Sequence, residues 1–190
     1  MLPDVRNIVA CLWGAAGVVW FVGALGAKRT ARIQTRSSRL LQLALAALAL
    51  AIGFAKPFQF GLLAKPFVPA SASTAYAGLF ATLLGIGFAV WARLSLGRNW
   101  SGAVTVKIDH TLIKNGPYAI VRHPIYSGFL LAVLGTAIAF NEVRVLVTVA
   151  LAFVHVWTKV RIEERLMAEE FGSEYTEYCR HVKAFIPFVY

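Results

Sequence analysis

Acidic side chains are scarce in this chain: nine Asp and Glu stand against nineteen Lys and Arg, and charged residues of all kinds make up only 15%. A soluble domain carries about 25% charged residues, so a water-facing surface of ordinary composition is excluded. There are only two cysteines. Cys11 and Cys179 lie at opposite ends, form no CxxC or metal-ligand spacing, and read as free thiols. The histidines and acids likewise show no metal-ligand spacing, so no metal site is expected. No GxSxG elbow, HExxH helix or phosphate-binding P-loop occurs. Ionisable residues are missing from deep within the first three apolar runs, which argues against ion transport.

What is abundant is apolar. Hydrophobic residues make up 58% of the chain, with a mean hydropathy of +0.66. Five runs approach the roughly 20 residues that cross a bilayer: about 5–27, 40–63, 74–96, 125–140 and 143–160. The last two are short and joined only by Asn141-Glu142, a tight helical hairpin. The first run is too long, and too well matched by the others, to be only a cleaved signal. Gly85-Ile86-Gly87 in the third run reads as a close helix contact, since no strand–turn–helix surrounds it. The expected fold is all-α: an integral membrane bundle of about five transmembrane helices with a C-terminal cytoplasmic helical segment. Residues 1–95 supply three helices, and residues 96–190 form a catalytic region.

The formal net charge of +10 sits at the ends of apolar runs, as anionic membrane lipids favour, so no nucleic-acid partner is expected. Lys28, Arg29, Arg32, Arg36 and Arg39 follow the first run without an acid among them. Arg93, Arg98, Lys107, Lys114 and Arg122 follow the third. Both loops are therefore expected in the cytoplasm, with the N-terminus outside and the C-terminus inside. Together with the compact chain, this points to a bacterial inner membrane.

Two polar segments face that side. Residues 96–122 are turn-rich, and the alternation Val104-Thr105-Val106-Lys107-Ile108 allows a short hairpin or an extended stretch. Residues 161–190 open as a charged helix. Gly172 is placed to end it, and Ser173 to cap a second helix over 174–182.

The richest stretch runs from Asn115 to Gly128. Gly116-Pro117 forces a turn. Pro124 biases His123 away from helix and can open the next helix at its first position. Arg122 and His123 thus sit at a helix N-terminus, which favours anions, with Tyr126 one turn in. The second cluster is Glu163-Glu164 at the membrane exit. Six of the nine acids fall between Glu163 and Glu177, so this region is suited to meet a cationic group.

At these residues the chain resembles the isoprenylcysteine carboxyl methyltransferase family. The resemblance covers about 96–187 and rests on Leu96-Gly97-Arg98-Asn99, Asp109-His110 with Leu112, and Gly116-Pro117-Tyr118. It continues through Arg122-His123-Pro124 with Tyr126 and Gly128, Glu163-Glu164, Phe171-Gly172 with Tyr175 and Tyr178, and Ile186-Pro187. It implies a membrane methyltransferase that uses S-adenosyl-L-methionine. Tyr118, Arg122, His123, Pro124, Tyr126, Glu163 and Glu164 would bind the cofactor, while Glu164 and Arg161 would take catalytic roles, Arg161 orienting the acceptor. The acceptor would be lipophilic, of the prenylcysteine-carboxylate kind. N- or S-methylation of a lipid amine or small thiol, and a non-enzymatic membrane protein, are the alternatives. An amine or thiol acceptor would need a base; a carboxylate would not.

Overall fold

Among the residues described by the computed structural model (3–25, 30–33, 35–97, 100, 105–107 and 111–187), five long helices carry the fold. Lys28, Arg29, Arg98, Asn99, Val104, Ile108, Asp109 and His110, singled out above, lie outside the described residues. The helices are α1 (Pro3–Leu25), α2 (Arg36–Phe54), α3 (Ala72–Leu96), α4 (Pro124–Phe140) and α5 (Val143–His181). α1, α2, α3 and α5 are each long and apolar enough to cross a membrane, and α4, shorter, is apolar throughout. Only 11–28% of their most apolar windows is buried inside the protein. Val18, Phe21, Leu41, Leu50, Phe80 and Leu94 all point outward. Such a belt is stable against hydrocarbon, where helices satisfy every backbone group internally.

One expectation is corrected in detail. The second span ends at Phe54 rather than near Leu63, because Pro57 cannot donate a backbone hydrogen bond and disfavours helix before it. Ala55 is extended (φ −76°, ψ 134°), and short 3-10 turns follow at Lys56–Phe58 and Gly61–Ala64. As expected, the charged helix leaves the last span without a break, and α5 runs well past the roughly 20 residues a bilayer needs before it reaches Gly172. Its first half, 143–160, is apolar and long enough to cross most of a bilayer; the remainder is charged. Gly172 does break that remainder, with φ 51° and ψ −120°.

α3 and α4 touch backbone to backbone. A Cβ added at Gly85 would lie 2.4 Å from the Ala132 nitrogen, and one at Gly135 would lie 2.4 Å from the Thr82 nitrogen. Gly78 and Gly128 complete the seam. Small residues let membrane helices gain dispersion contact where the hydrophobic effect gives none. Gly87, in contrast, meets nothing within 4 Å.

Each end of the bundle is tied across loops. At one end, Asn141 takes the left-handed conformation (φ 51°) that its short polar side chain tolerates. Its Oδ1 accepts from the Phe67 and Val68 amides at 3.2 and 3.1 Å. Beside it the buried Glu142 accepts from Arg6 and Arg144. At the other end, β1 (Thr30–Ile33) pairs antiparallel with β2 (Thr105–Lys107). The alternating stretch is thus extended, and its partner is the loop after α1. The pairing puts the α1–α2 and α3–α4 loops on one face, where the second half of α5 also lies.

Candidate active site

The site is built where the chain enters α4. Gly116 takes φ +58°, and Pro117 opens a 3-10 turn over Gly116–Ala119 that buries Tyr118. The Tyr118 hydroxyl donates to the Ala92 carbonyl of α3 at 3.4 Å, and its own carbonyl accepts from the Tyr178 hydroxyl at 2.6 Å. As expected from Pro124, His123 is non-helical (φ −121°, ψ 58°) and α4 begins at the proline.

The strand-like segment Val121–His123 then runs parallel to the chain that follows α5. Val121 bridges Lys183. The Arg122 amide donates to the Lys183 carbonyl at 2.8 Å, and the His123 amide to that of Ala184 at 3.0 Å. Ser127 Oγ donates to the Phe185 carbonyl at 2.8 Å. Sequence reasoning passed over residues 182–185 as site elements. Their signal was weak: an apolar Ala184-Phe185-Ile186 after a charged helix, closed by Pro187.

Three of the side chains singled out in the sequence converge here. Glu164 Oε1 accepts from Arg122 Nη2 at 2.6 Å, from Arg122 Nε at 3.1 Å and from His123 Nε2 at 3.1 Å. An ionised carboxylate only accepts, so the His123 Nε2 carries its proton. Arg122 Nη1 donates to the Val182 carbonyl at 2.6 Å, which ties the cluster to the C-terminal segment. Burial opposes the Glu164 charge, but hydrogen bonds from His123 and Arg122 outweigh it and bring the carboxyl down to about 2. Burial also opposes the Arg122 charge, and the Glu164 hydrogen bond more than offsets it, so the guanidinium is held charged. Burial, then the Glu163 charge, raises the Tyr118 phenol above its ordinary range.

Glu163 forms the second arm by accepting from the Tyr126 hydroxyl at 3.0 Å. His123 stacks on Tyr126, with ring centroids 5.9 Å apart, and packs against Phe185 at 6.0 Å. Phe185 in turn stacks on Trp157 at 6.4 Å. Arg161 is exposed and lies over the outer face of Trp157, 5.9 Å from the ring centroid. The fold thus gathers Tyr118, Arg122, His123, Pro124, Tyr126, Glu163 and Glu164, and sets Arg161 at the rim of the aromatic wall. The Trp100 ring is covered by the Arg93 guanidinium, 4.3 Å from its centroid. Lys159, which sequence reasoning did not single out, brings Nζ to 5.5 Å from the Tyr126 centroid.

Tyr126 is also a wall of a second space. A cavity of about 300 Å³ lies among α1, α3, α4 and α5. Trp13, Trp20 and Phe129 line its apolar body, and Tyr126, His155 and Lys159 also line it. The charged cluster and the apolar cavity therefore share one tyrosine, Tyr126.

Comparison with known proteins gives the following. Residues 73–174 match the phospholipid methyltransferase family. The chain is 35% identical over 107 residues to the cobalt-zinc-cadmium resistance protein CzcN of Cupriavidus metallidurans, a stretch that is 55% of this chain and 49% of that protein. It is 31% identical over 117 residues to a probable protein-S-isoprenylcysteine O-methyltransferase of Oryza sativa, 60% of this chain and 61% of the relative. It is 31% identical over 115 residues to the protein-S-isoprenylcysteine O-methyltransferase of Saccharomyces cerevisiae, 59% and 48% of the two chains. The matched stretch thus spans from half to three fifths of these relatives. The fold is similar to that of the eukaryotic intramembrane Ras methyltransferase (isoprenylcysteine carboxyl methyltransferase). The TM-score is 0.58 at 24% identity, over 83% of this chain and 55% of that one.

Proposed function

The chain belongs to the phospholipid methyltransferase family, and from that premise we propose that it transfers a methyl group from S-adenosylmethionine to the carboxylate of a lipophilic, prenylcysteine-like acceptor. The observation that carries this reading is the position of Tyr126. It binds Glu163 on the polar side and lines the apolar cavity on the other. A charged cofactor and a greasy acceptor can meet only at such a boundary.

The residues present fit the cofactor. Glu164 spends Oε1 on Arg122 and His123, and its second oxygen lies outside those three bonds. That oxygen and Glu163 supply carboxylate acceptors for an ammonium group or a ribose diol. The N-terminus of α4, opened by Pro124, favours a carboxylate through the helix dipole. Tyr118 and Tyr126 offer aromatic faces, to which a sulfonium is attracted. When bound, S-adenosylmethionine supplies an electrophilic methyl group.

The chain's own residues then have three duties. Arg122 and His123 hold Glu164 in one orientation. The aromatic wall of His123, Tyr126, Phe185 and Trp157 excludes water from the boundary. The cavity aligns the acceptor for an in-line approach, the step in which positioning supplies most of the rate. A carboxylate acceptor is already ionised at neutral pH, so no residue need act as a base. The basic loops support a cytoplasmic site with the N-terminus outside; a bacterial inner membrane is the setting proposed.

Calorimetry with S-adenosylhomocysteine on the purified chain tests the reading, followed by a labelled-methyl assay over lipophilic acids, amines and thiols. One molecule should bind per chain. At about 100 times the dissociation constant, the ligand should add roughly 2.7 kcal/mol of stability. Absence of both heat and thermal stabilisation at millimolar ligand would remove the proposal.

A further inference from the structure

The apolar cavity has a floor. Trp13 of α1 lines it, and the indole Nε1 donates to Thr136 Oγ1 of α4 at 3.1 Å. Thr136 in turn donates to the Ala132 carbonyl at 2.9 Å, which leaves its oxygen free to accept from the indole. An indole N–H inside a membrane bundle needs such a partner, and the bond fixes how the ring lies. Phe129 meets that ring edge-on, with centroids 5.7 Å apart and planes at 77°. On the far side of the ring the bundle is solid. Trp13 packs there on Val5, Val9, Ala75 and Ala139, and Val5 and Val9 are only 0% and 1% exposed.

The depth of the cavity follows from the helices that wall it. Along α1 the lining runs from Trp20 to Trp13, and along α4 from Ile125, beside Tyr126, to Ala132. The next turn on each helix, Val9 and Thr136, lies outside the cavity. Seven residues of helix, at about 1.5 Å of rise each, give a depth of about 10 Å. An extended carbon chain with bonds of about 1.5 Å advances about 1.25 Å per carbon, so about eight carbons in line fill that depth. Two isoprene units are of that length. A third unit would have to pass the Trp13 ring, where the core leaves no room.

We propose that Trp13 is the gauge of acceptor length: it stops the tail after two isoprene units, so the chain selects small acceptors with short tails over longer prenyl groups. The inference rests on the methyltransferase reading, in which the tail enters the cavity beside Tyr126, and adds the limit on that tail. Trp13 lies outside residues 73–174, the stretch that matches the family, so the gauge belongs to this chain's own first helix. It acts by shape, touching only the end of the tail, and determines specificity without taking part in the transfer.

The test uses the full chain in phosphatidylcholine nanodiscs, comparing wild type with Trp13→Ala, Trp13→Leu and Trp13→Phe. Calorimetry with S-adenosylhomocysteine reports the folded cofactor site in each. Labelled-methyl transfer to geranyl-, farnesyl- and geranylgeranylcysteine, dosed by mole fraction of lipid, gives kcat/KM against tail length. Octanoate and dodecanoate with a diazirine at the tail end, cross-linked by light and mapped by mass spectrometry, locate the tail without any turnover. Wild type should prefer the geranyl to the farnesyl acceptor by about tenfold or more, the scale set by overpacking a filled site. The octanoate probe should label Trp13 or Ala132. In Trp13→Ala and Trp13→Leu, which open space below the floor, the farnesyl acceptor should come within about twofold of the geranyl one. The dodecanoate label should then move down to Val9. Trp13→Phe keeps a ring and should keep the wild-type order. Where a variant fails to bind the homocysteine ligand, the wild-type length order and label decide. The proposal is overturned if wild type uses all three acceptors equally, or if the octanoate label falls away from Trp13 and Ala132. It is overturned equally if Trp13→Ala and Trp13→Leu bind the homocysteine ligand and keep the wild-type order. Failure of wild type to bind that ligand or transfer methyl, with the label still moving from Trp13 to Val9 in the variants, would instead fault the methyltransferase reading and leave the gauge standing.

Discussion

Replacing Glu164 by Gln removes one charge and keeps the shape, and the structure sets the size of the effect. In the folded chain the carboxyl sits at about 2 against an ordinary 4.5. The difference is about 2.5 pH units, and at 1.36 kcal/mol per unit this corresponds to about 3 kcal/mol. Glu164 retains 28% side-chain exposure, so solvent trims that figure and about 2–3 kcal/mol is expected. The variant also leaves Arg122, only 12% exposed, with a neutral acceptor. For a chain of this size each kcal/mol moves the melting temperature by about 2–4 °C, so Glu164→Gln should melt roughly 5–10 °C lower at pH 7. Because folding depresses this carboxyl, its contribution is complete above pH 4.5 and is lost as pH falls toward 2. The gap between wild type and Glu164→Gln should therefore narrow by more than half near pH 3. Thermal unfolding in detergent, followed by tryptophan fluorescence across pH 3–8, measures both quantities. Glu177→Gln is the control: its partner Arg180 is exposed, and such pairs are worth at most about 1 kcal/mol. Equal shifts for the two variants, or a gap that does not change with pH, would refute the cluster as the anchor of the C-terminal segment.

Gly85→Val should push α3 from α4, since even a Cβ there lies 2.4 Å from the Ala132 nitrogen; a loss of about 1–3 kcal/mol or more is expected in the same unfolding assay. Tyr126→Phe removes the hydroxyl bonded to Glu163. Homocysteine-ligand affinity should fall by up to tenfold in calorimetry, the equivalent of about 0.5–1.5 kcal/mol for one hydrogen bond. In a chain with Cys11 and Cys179 replaced, a cysteine at position 4 should react with an impermeant maleimide on intact cells while one at position 33 stays protected. The reverse pattern would move the site to the outer face.

The membrane helices were legible because their signal is local: apolar runs, a proline at the start of α4, a glycine at the break in α5. The same is true of the Arg122–His123 turn, whose conformation follows from Pro124. Other features depend on partners far along the chain. Nothing in Val104–Ile108 says that its partner strand is Thr30–Ile33. Lys183 and Ala184 act through backbone carbonyls, which carry no side-chain signature. Arg93 reads as an ordinary membrane-flanking basic residue until Gly23, the Gly97 carbonyl and Trp100 are seen to enclose it. The early end of α2 was available from Lys56-Pro57, but the apolar residues after it outweighed the proline in a reading by hydropathy.

The parallel stitch between Val121–His123 and Lys183–Phe185 has a consequence for synthesis. Arg122 and His123 enter the membrane surface with α4, while Glu164 and the carbonyls of 182–185 emerge only after every span has been made. Until then the guanidinium has no carboxylate, and the pocket lacks one of its walls. A nascent chain, or one cut short after α5, therefore lacks the carbonyls that the Arg122 and His123 amides bond, however well its helices have inserted. Under the proposed function, methyl-donor binding is therefore acquired only when residues 182–185 fold back on a loop made some sixty positions earlier.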